Sequence, residues 1–335
     1  MSSILASRDN PDGAAVASHY KKIILRRFIV AGVLLLLILL SLLLDFTLGP
    51  SGISVATLWH TLFDAASADA GTRVIVWDLR LPFALMAVVV GLALGLAGAE
   101  MQTILNNPLA SPFTLGVSSA ASFGAALAII LGLGIPGVPD QWFISVNAFV
   151  FALMACFILD GISRWTRVAT SGVVLFGIAL VFTFNALISI LQFVASEDTL
   201  QGLVFWTMGS LARASWDKLA ILVVVLLIVV PLSLKNAWKL TALLRISIIS
   251  ALTVAFVGPV GFIGLVAPHI SRMMFGEDHR FYLPGSMLIG ALVLSLASVL
   301  SKNIVPGVII PVGIVTSLVG VPFFLSIIIR HRGTL

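Results

Sequence analysis

Charge is scarce in this chain. Only 10% of its 335 residues are Asp, Glu, Lys or Arg. A soluble domain carries about a quarter, so a water-surrounded globule is excluded. Cysteine is nearly absent too: Cys156 stands alone, which excludes an intramolecular disulfide and a cysteine-built metal site. No Gly-x-x-x-x-Gly-Lys-Ser/Thr stretch occurs, so the chain has no phosphate loop of that kind for ATP. No Ser/His/Asp or metal-ligand grouping stands out, which argues against an enzyme and against a bound metal. What the chain has in excess is apolar side chains: 60% of residues, with a mean hydropathy of +1.16. The fold class is therefore all-α and polytopic in a membrane. Runs of about 20 apolar residues suit spanning helices, which satisfy their own backbone hydrogen bonds.

Spans are expected near 28–45, 79–104, 113–133, 142–160, 171–195, 218–234, 245–258, 268–276, 282–302 and 311–329. The eighth is too short to cross and is expected as a half-helix opening at Pro268, since proline suits a first helical turn. Residues 1–27 are expected to be a cytoplasmic tail, and 28–335 a single transmembrane domain. The apolar run after Arg27 has no small-residue cleavage site, so it is expected to stay as the first helix. With both termini cytoplasmic, fourteen of the 19 Lys and Arg residues fall inside and five outside, as the positive-inside rule requires. The net charge of +5 is thus explained by topology, with lipid as the partner and not nucleic acid. The loops 46–78 and 196–217 are expected on the outer side.

Several residues could carry chemistry. Glu100 lies in the inner half of the second span, and an intramembrane carboxylate is costly enough to be a functional candidate. It could couple transport to protons, or pair with a polar neighbour. Asp45 and Asp160, at span ends, are expected to be solvated. The turn Asn106-Asn-Pro-Leu-Ala-Ser-Pro112 stops helix on both sides and reads as a re-entrant element or a simple inner turn. Gly258-Pro-Val-Gly-Phe-Ile-Gly264 leads to Pro268, His269 and Arg272, then to Gly276-Glu-Asp-His-Arg280. Broken helices of this type mark transport paths. His269 has only His279 nearby as a second ligand, so a packed histidine is favoured over a metal ligand.

Taken in order, these blocks resemble the permease subunits of ABC importers for iron–siderophore complexes, haem and cobalamin. Arg80-Leu-Pro82 is similar to that family's Arg-x-Pro. Gly98, Gln102, Asn107-Pro-Leu-Ala110, Pro112 and Leu115-Gly116 match the next block. Trp206-Thr-Met-Gly-Ser210, Gly258 to Arg272 with Asp278-His-Arg280, and Pro311 to Pro322-Phe-Phe324 complete the series. The resemblance implies a ten-helix subunit in a bacterial inner membrane, paired with an identical or paralogous second subunit. It implies two cytoplasmic ATPases that hold ATP and magnesium, and a periplasmic binding protein. It implies no cofactor in this chain. It places Arg80 and Lys302 at binding-protein docking positions, and Thr170 and Ser171 at a cytoplasmic gate. Gln102, Asn107, Pro108, Gly258, Gly261, Gly264, Pro268, His269 and Arg272 fall on path or structural motifs. Asp278, His279 and Arg280 fall on an ATPase-facing loop.

The sequence also departs from that pattern. Phe83 stands at a position commonly basic, Ser298 at a usual aspartate, Ser119 at a usual glycine and Ile309 at a usual glutamate. The polar segment expected between the sixth and seventh spans is short, running from Lys235 directly to Arg245. About ten residues, at 1.5 Å each, cannot hold two coupling helices. A segment is therefore expected to be missing between about Ala242 and Arg245. The rival readings are a proton-coupled secondary transporter using Glu100 and a non-transporting membrane scaffold.

Overall fold

The structure, a computed structural model, describes residues 11–133, 136–139, 142–165, 170–235 and 241–331; within it, the side chains of 11–17, 163–171, 241–244 and 326–331 lie outside the description. Every regular element among the described residues is helical. Each of the ten expected spans falls on a helix. These are α1 (Pro11–Thr47), α4 (Leu81–Ile104), α5 (Val117–Leu131), α6 (Phe143–Trp165), α7 (Thr170–Val194), α9 (Trp216–Lys235), α10 (Thr241–Val257), α11 (Ile263–Phe275), α12 (His279–Asn303) and α13 (Val312–His331). Among the described residues, six helical stretches are long and apolar enough to cross a bilayer, and three shorter apolar ones lie in α5, α10 and α13. The short elements are α2 (Val55–Phe63), α3 (Ala70–Val74), α8 (Glu197–Thr207) and a 3₁₀ turn at Leu211–Arg213.

α1 begins at Pro11, so it is far longer than its apolar run. Three expectations are corrected. The loop 46–78 is largely helical. Its end, α3 with the π-helical turn Ile75–Arg80, runs without a break into α4. Pro82, at the start of α4, lacks an N–H and crowds the carbonyl four residues back. The π turn widens the helix just before it, with Leu81 N–H reaching Val76 O, so the helix already runs through the expected start of the second span near 79. Asp45 is not solvated: it is fully buried. Lastly, the half-helix α11 begins at Ile263, with Pro268 in its interior. Phe262 turns the chain at φ 67°, and its carbonyl accepts from Val266 N–H at 2.8 Å.

Asp69 caps α3 through Thr72 N–H at 2.9 Å. Hydrogen bonds from the Thr72 side chain and backbone hold its carboxyl below the ordinary value. A lowered carboxyl stabilises at neutral pH and loses that contribution as pH falls through the lowered value.

The core is built around α4, which packs on α12, α11, α10, α9 and α1. Its three glycines let backbones touch. A Cβ at Gly91 would fall on Gly290, at Gly95 on the Ser286 carbonyl, and at Gly98 on the Gly264 carbonyl. Pro268 supplies no N–H to Gly264 O in α11, so that carbonyl faces α4 directly. A second layer forms where α5 packs on α6, α7 and α8. There a Cβ at Gly124 would meet the Asn147 carbonyl. α1 is fastened to α12 by Ser41–Ser295, 2.7 Å between hydroxyls.

Gly98→Ala is expected to destabilise the protein by about 1–3 kcal/mol through over-packing. At Gly261 a Cβ would find its nearest neighbours 3.9 Å away, so Gly261→Ala is expected to leave stability near wild type. Thermal melts in one detergent compare the two; equal losses would refute this packing account.

Candidate functional site

The non-helical turn between α10 and α11 gathers residues from several of the motifs. Gly258 turns at φ 80°, and a Cβ there would strike the Trp206 carbonyl. Gly209, at φ 67°, lies against the Pro259 carbonyl. Ser210 N–H donates to Val257 O at 2.7 Å, and Gly313 N–H to Gly209 O at 3.2 Å. Arg213 locks this junction by donating to Trp206 O at 3.0 Å, with its guanidinium 5.2 Å from the Trp206 ring. From the other side, Phe113 lies beside Gly261 and Pro112 beside Gly264. Gln102 of α4 donates to Leu265 O at 3.3 Å. The Phe262 ring packs where a Gly320 side chain would otherwise sit.

Three interrupted segments therefore converge on one turn: 105–116, 206–213 and 258–262. Their sequence separation hides the convergence. Irregular backbone inside a membrane protein persists only when buried in protein or lining a cavity. Next to the turn, an apolar cleft of about 290 Å³ opens between α11, α12 and α13, lined by Phe262, Val266, Ile270, Val293, Thr316 and Phe323 among others. The turn 105–116 is shaped locally. Asn107 Oδ1 accepts from Leu109 N–H at 2.9 Å, Asn106 sits at φ 41°, and Pro108 is exposed.

Arg80 and Lys302 line one cleft of about 270 Å³ with Phe83, Leu211 and the turn 48–51. Neither is a free surface charge: they are 7% and 8% exposed. Arg80 donates to Thr47 O at 2.9 Å and to Ser51 Oγ at 2.5 Å. Lys302 Nζ lies 3.0 Å from Asp45 Oδ1, donates to Asp45 O at 2.7 Å, and sits 4.2 Å from the Phe83 ring centroid. Ser298 donates to Asp45 Oδ1 at 2.8 Å. Phe83 and Ser298, read from sequence as departures, thus serve one buried ion pair. Sequence reasoning missed Asp45. The available signal was a lone acid and a lone lysine at the ends of two apolar runs.

Glu100 is buried in α4 and has Ser233 of α9 and Arg245 of α10 as polar neighbours. Its carboxylate oxygens make no hydrogen bond among the described residues. Arg245 donates to Leu232 O at 3.0 Å.

At the far end of α11, Arg272 donates to Tyr282 Oη at 3.1 Å. Asp278 caps α12 and pairs with Arg27 and Arg280, each at 3.6 Å. The His279 ring lies 6.0 Å from Tyr282. His269 is half-buried in α11. No group of three or more His, Cys, Asp or Glu able to hold a metal occurs among the described residues. Thr170 and Ser171 open α7, but their side chains lie outside the described residues.

The FecCD transport family matches residues 33–245 and 235–330, and the chain belongs to that family of ABC transporter permeases. The hemin transport system permease protein of Yersinia pestis is 35% identical over 85% of this chain and 90% of its own. A Methanocaldococcus jannaschii protein named as a candidate ABC transporter permease is 30% identical, covering 94% of this chain and 98% of that one. An inward-facing structure assigned to the metal-chelate type of ABC transporter superposes with a TM-score of 0.75 at 29% identity, over 90% of this chain and 99% of that one. The two pieces of the family match meet at 235–245, the connection that is short here. The archaeal alignment spans 345 positions, more than the 335 residues of this chain, so that relative carries positions this chain leaves empty. Residues 236–240 lie outside the described residues, while α10 runs unbroken from Thr241 through Leu243 and Leu244.

Lys302→Met strands Asp45 as a buried, unpaired charge and is expected to cost about 3–5 kcal/mol. Adding Asp45→Asn should recover much of that loss in a thermal melt. A double variant no better than Lys302→Met would sink the ion-pair account.

Proposed function

We propose that this chain is the permease subunit of an ATP-driven importer for a metal chelate, with a ferric siderophore as the favoured cargo and haem or cobalamin as alternatives. The family match across residues 33–330 carries this reading. The hemin permease relative and the metal-chelate structural neighbour support the cargo class. No bond in the cargo changes. Two cytoplasmic ATPases bind and hydrolyse ATP, and a second permease subunit completes the path.

In this reading both termini face the cytoplasm, and a periplasmic binding protein delivers cargo to the face that bears the Arg80–Lys302 cleft. Charge complementarity there sets encounter and register. Because both cations are buried and already bonded, the delivering acids act at the mouth of the cleft. Thr170 and Ser171 form the cytoplasmic constriction. Asp278, His279 and Arg280 face an ATPase, a role supported by their place at the α11–α12 turn. The broken α10–α11 turn is the element that shifts between outward and inward openings. The short 235–245 connection leaves ATPase coupling to surfaces such as the α11–α12 turn.

Gentle purification from native membranes is expected to recover an ABC ATPase and a binding protein by mass spectrometry, and the reconstituted complex to show ATP-dependent uptake of a ferric siderophore. Recovery of this chain alone, under conditions that keep a control importer whole, would favour a scaffold. Glu100→Gln is expected to change uptake by no more than a few-fold. Glu100 is boxed in by Ser233 and Arg245, as a structural acid would be. Complete loss, with uptake driven by a pH gradient and no ATP, would establish the proton-coupled reading instead.

A further inference from the structure

The two faces of α1 differ in what they meet. Leu34, Ile38, Ser41 and Asp45 are buried against the bundle. Arg27 continues that face. It pairs with Asp278 at 3.6 Å, and its guanidinium stands 4.8 Å from the Phe281 ring centroid. The opposite face carries Ile29, Val33, Leu36, Leu40 and Leu44, all exposed. Their spacing of three and four residues makes one continuous stripe. In a chain that crosses a membrane, acyl chains cover such a stripe.

The same stripe extends toward the N-terminus through Arg26 and Lys22, again at three- and four-residue steps, with Lys21 beside them. All three are exposed, and none has an acidic partner among the described residues. Rising 1.5 Å per residue, Arg26 sits about 4.5 Å, and Lys22 about 10 Å, beyond Ile29 along the axis. The polar layer on each side of the hydrocarbon core is about 5–7 Å deep. With Ile29 taken as the edge of the hydrocarbon, Arg26 falls within the headgroup layer, and the long side chain of Lys22 reaches back into it. Neighbouring Arg27 is engaged by protein; among the described residues Arg26 and Lys22 are not.

We propose that this face of α1 holds an anionic phospholipid, its phosphate clasped by Lys22 and Arg26 and its acyl chains laid along Ile29, Val33 and Leu36. Lys21 adds charge beside the clasp. The inference rests on the membrane location of α1 and not on the cargo, so it stands or falls separately from the importer reading.

The test uses the full chain, purified in mild detergent and reconstituted into nanodiscs of phosphatidylcholine mixed with phosphatidylglycerol. Lipid retained on re-extraction is identified by mass spectrometry. Wild type is expected to retain phosphatidylglycerol in excess of its share. Each basic residue near an anionic surface strengthens binding about fivefold. Lys22→Gln with Arg26→Gln should therefore reduce retention by about twenty-fold or more, while Lys22→Arg with Arg26→Lys should preserve it. Equal retention of both lipids by wild type would overturn the proposal, as would a Gln pair that retains as much as wild type. Complete displacement by millimolar inorganic phosphate would also overturn it, by showing a simple anion site that needs no acyl chains.

Discussion

The close approach of α4 to α11 and α12 governs the rest of the molecule. At Gly91, Gly95 and Gly98 the α4 backbone lies directly on neighbouring backbone, where any Cβ would push the helices apart. In a bilayer, water does not drive helices together, so such van der Waals contact is a principal source of association. The same contact serves the broken half-helix. Gly264 O, without a proline N–H to bond, rests against Gly98, while Gln102 reaches Leu265 O. α4 thus supports the α10–α11 turn, and the turn in turn supports 206–213 and the start of α13.

Polar groups are rationed along this frame and placed at its seams. Asp45 and Lys302 join α1 to α12 at one end of the bundle, and Arg27 and Asp278 join α1 to the α11–α12 turn at the other. The first pair is buried. Buried pairs of that kind cost desolvation and contribute register more than net stability. The second is more exposed and correspondingly weaker. Between them α1 is fixed in rotation, which decides which of its faces meets lipid. Glu100 sits among Ser233 and Arg245 at a third seam, where α4, α9 and α10 meet.

Family membership gives these seams a functional setting. The chain is a FecCD-type permease, and its interrupted segments converge on the α10–α11 turn. Phe262 at φ 67° is an uncommon conformation for a bulky residue. It is held by Gly320 on the far side of its ring. The strain and its support lie on different helices, so relative movement of α13 and α11 acts directly on this turn.

Much was legible in the sequence. Apolar run length fixed where the spans fall, because a bilayer of set thickness demands a set number of helical residues. Glycine and proline punctuation located the broken segment near 258–268, because those residues alter backbone geometry locally. The start of α11 was misplaced by five residues: Pro268 satisfied the rule for a first turn, but tertiary contact with Gly98 lets the helix carry it inside. Arg80 and Lys302 were singled out by resemblance to the family's docking positions. That they are buried, and that Lys302 is bonded to Asp45, was decided by packing between helices more than 250 positions apart. Helical propensity and span length are local properties of a chain in a membrane, and sequence determines them. Which face of α1 turns to lipid, and which distant segments share the α10–α11 turn, depend on how helices interlock, and only the tertiary structure decided that.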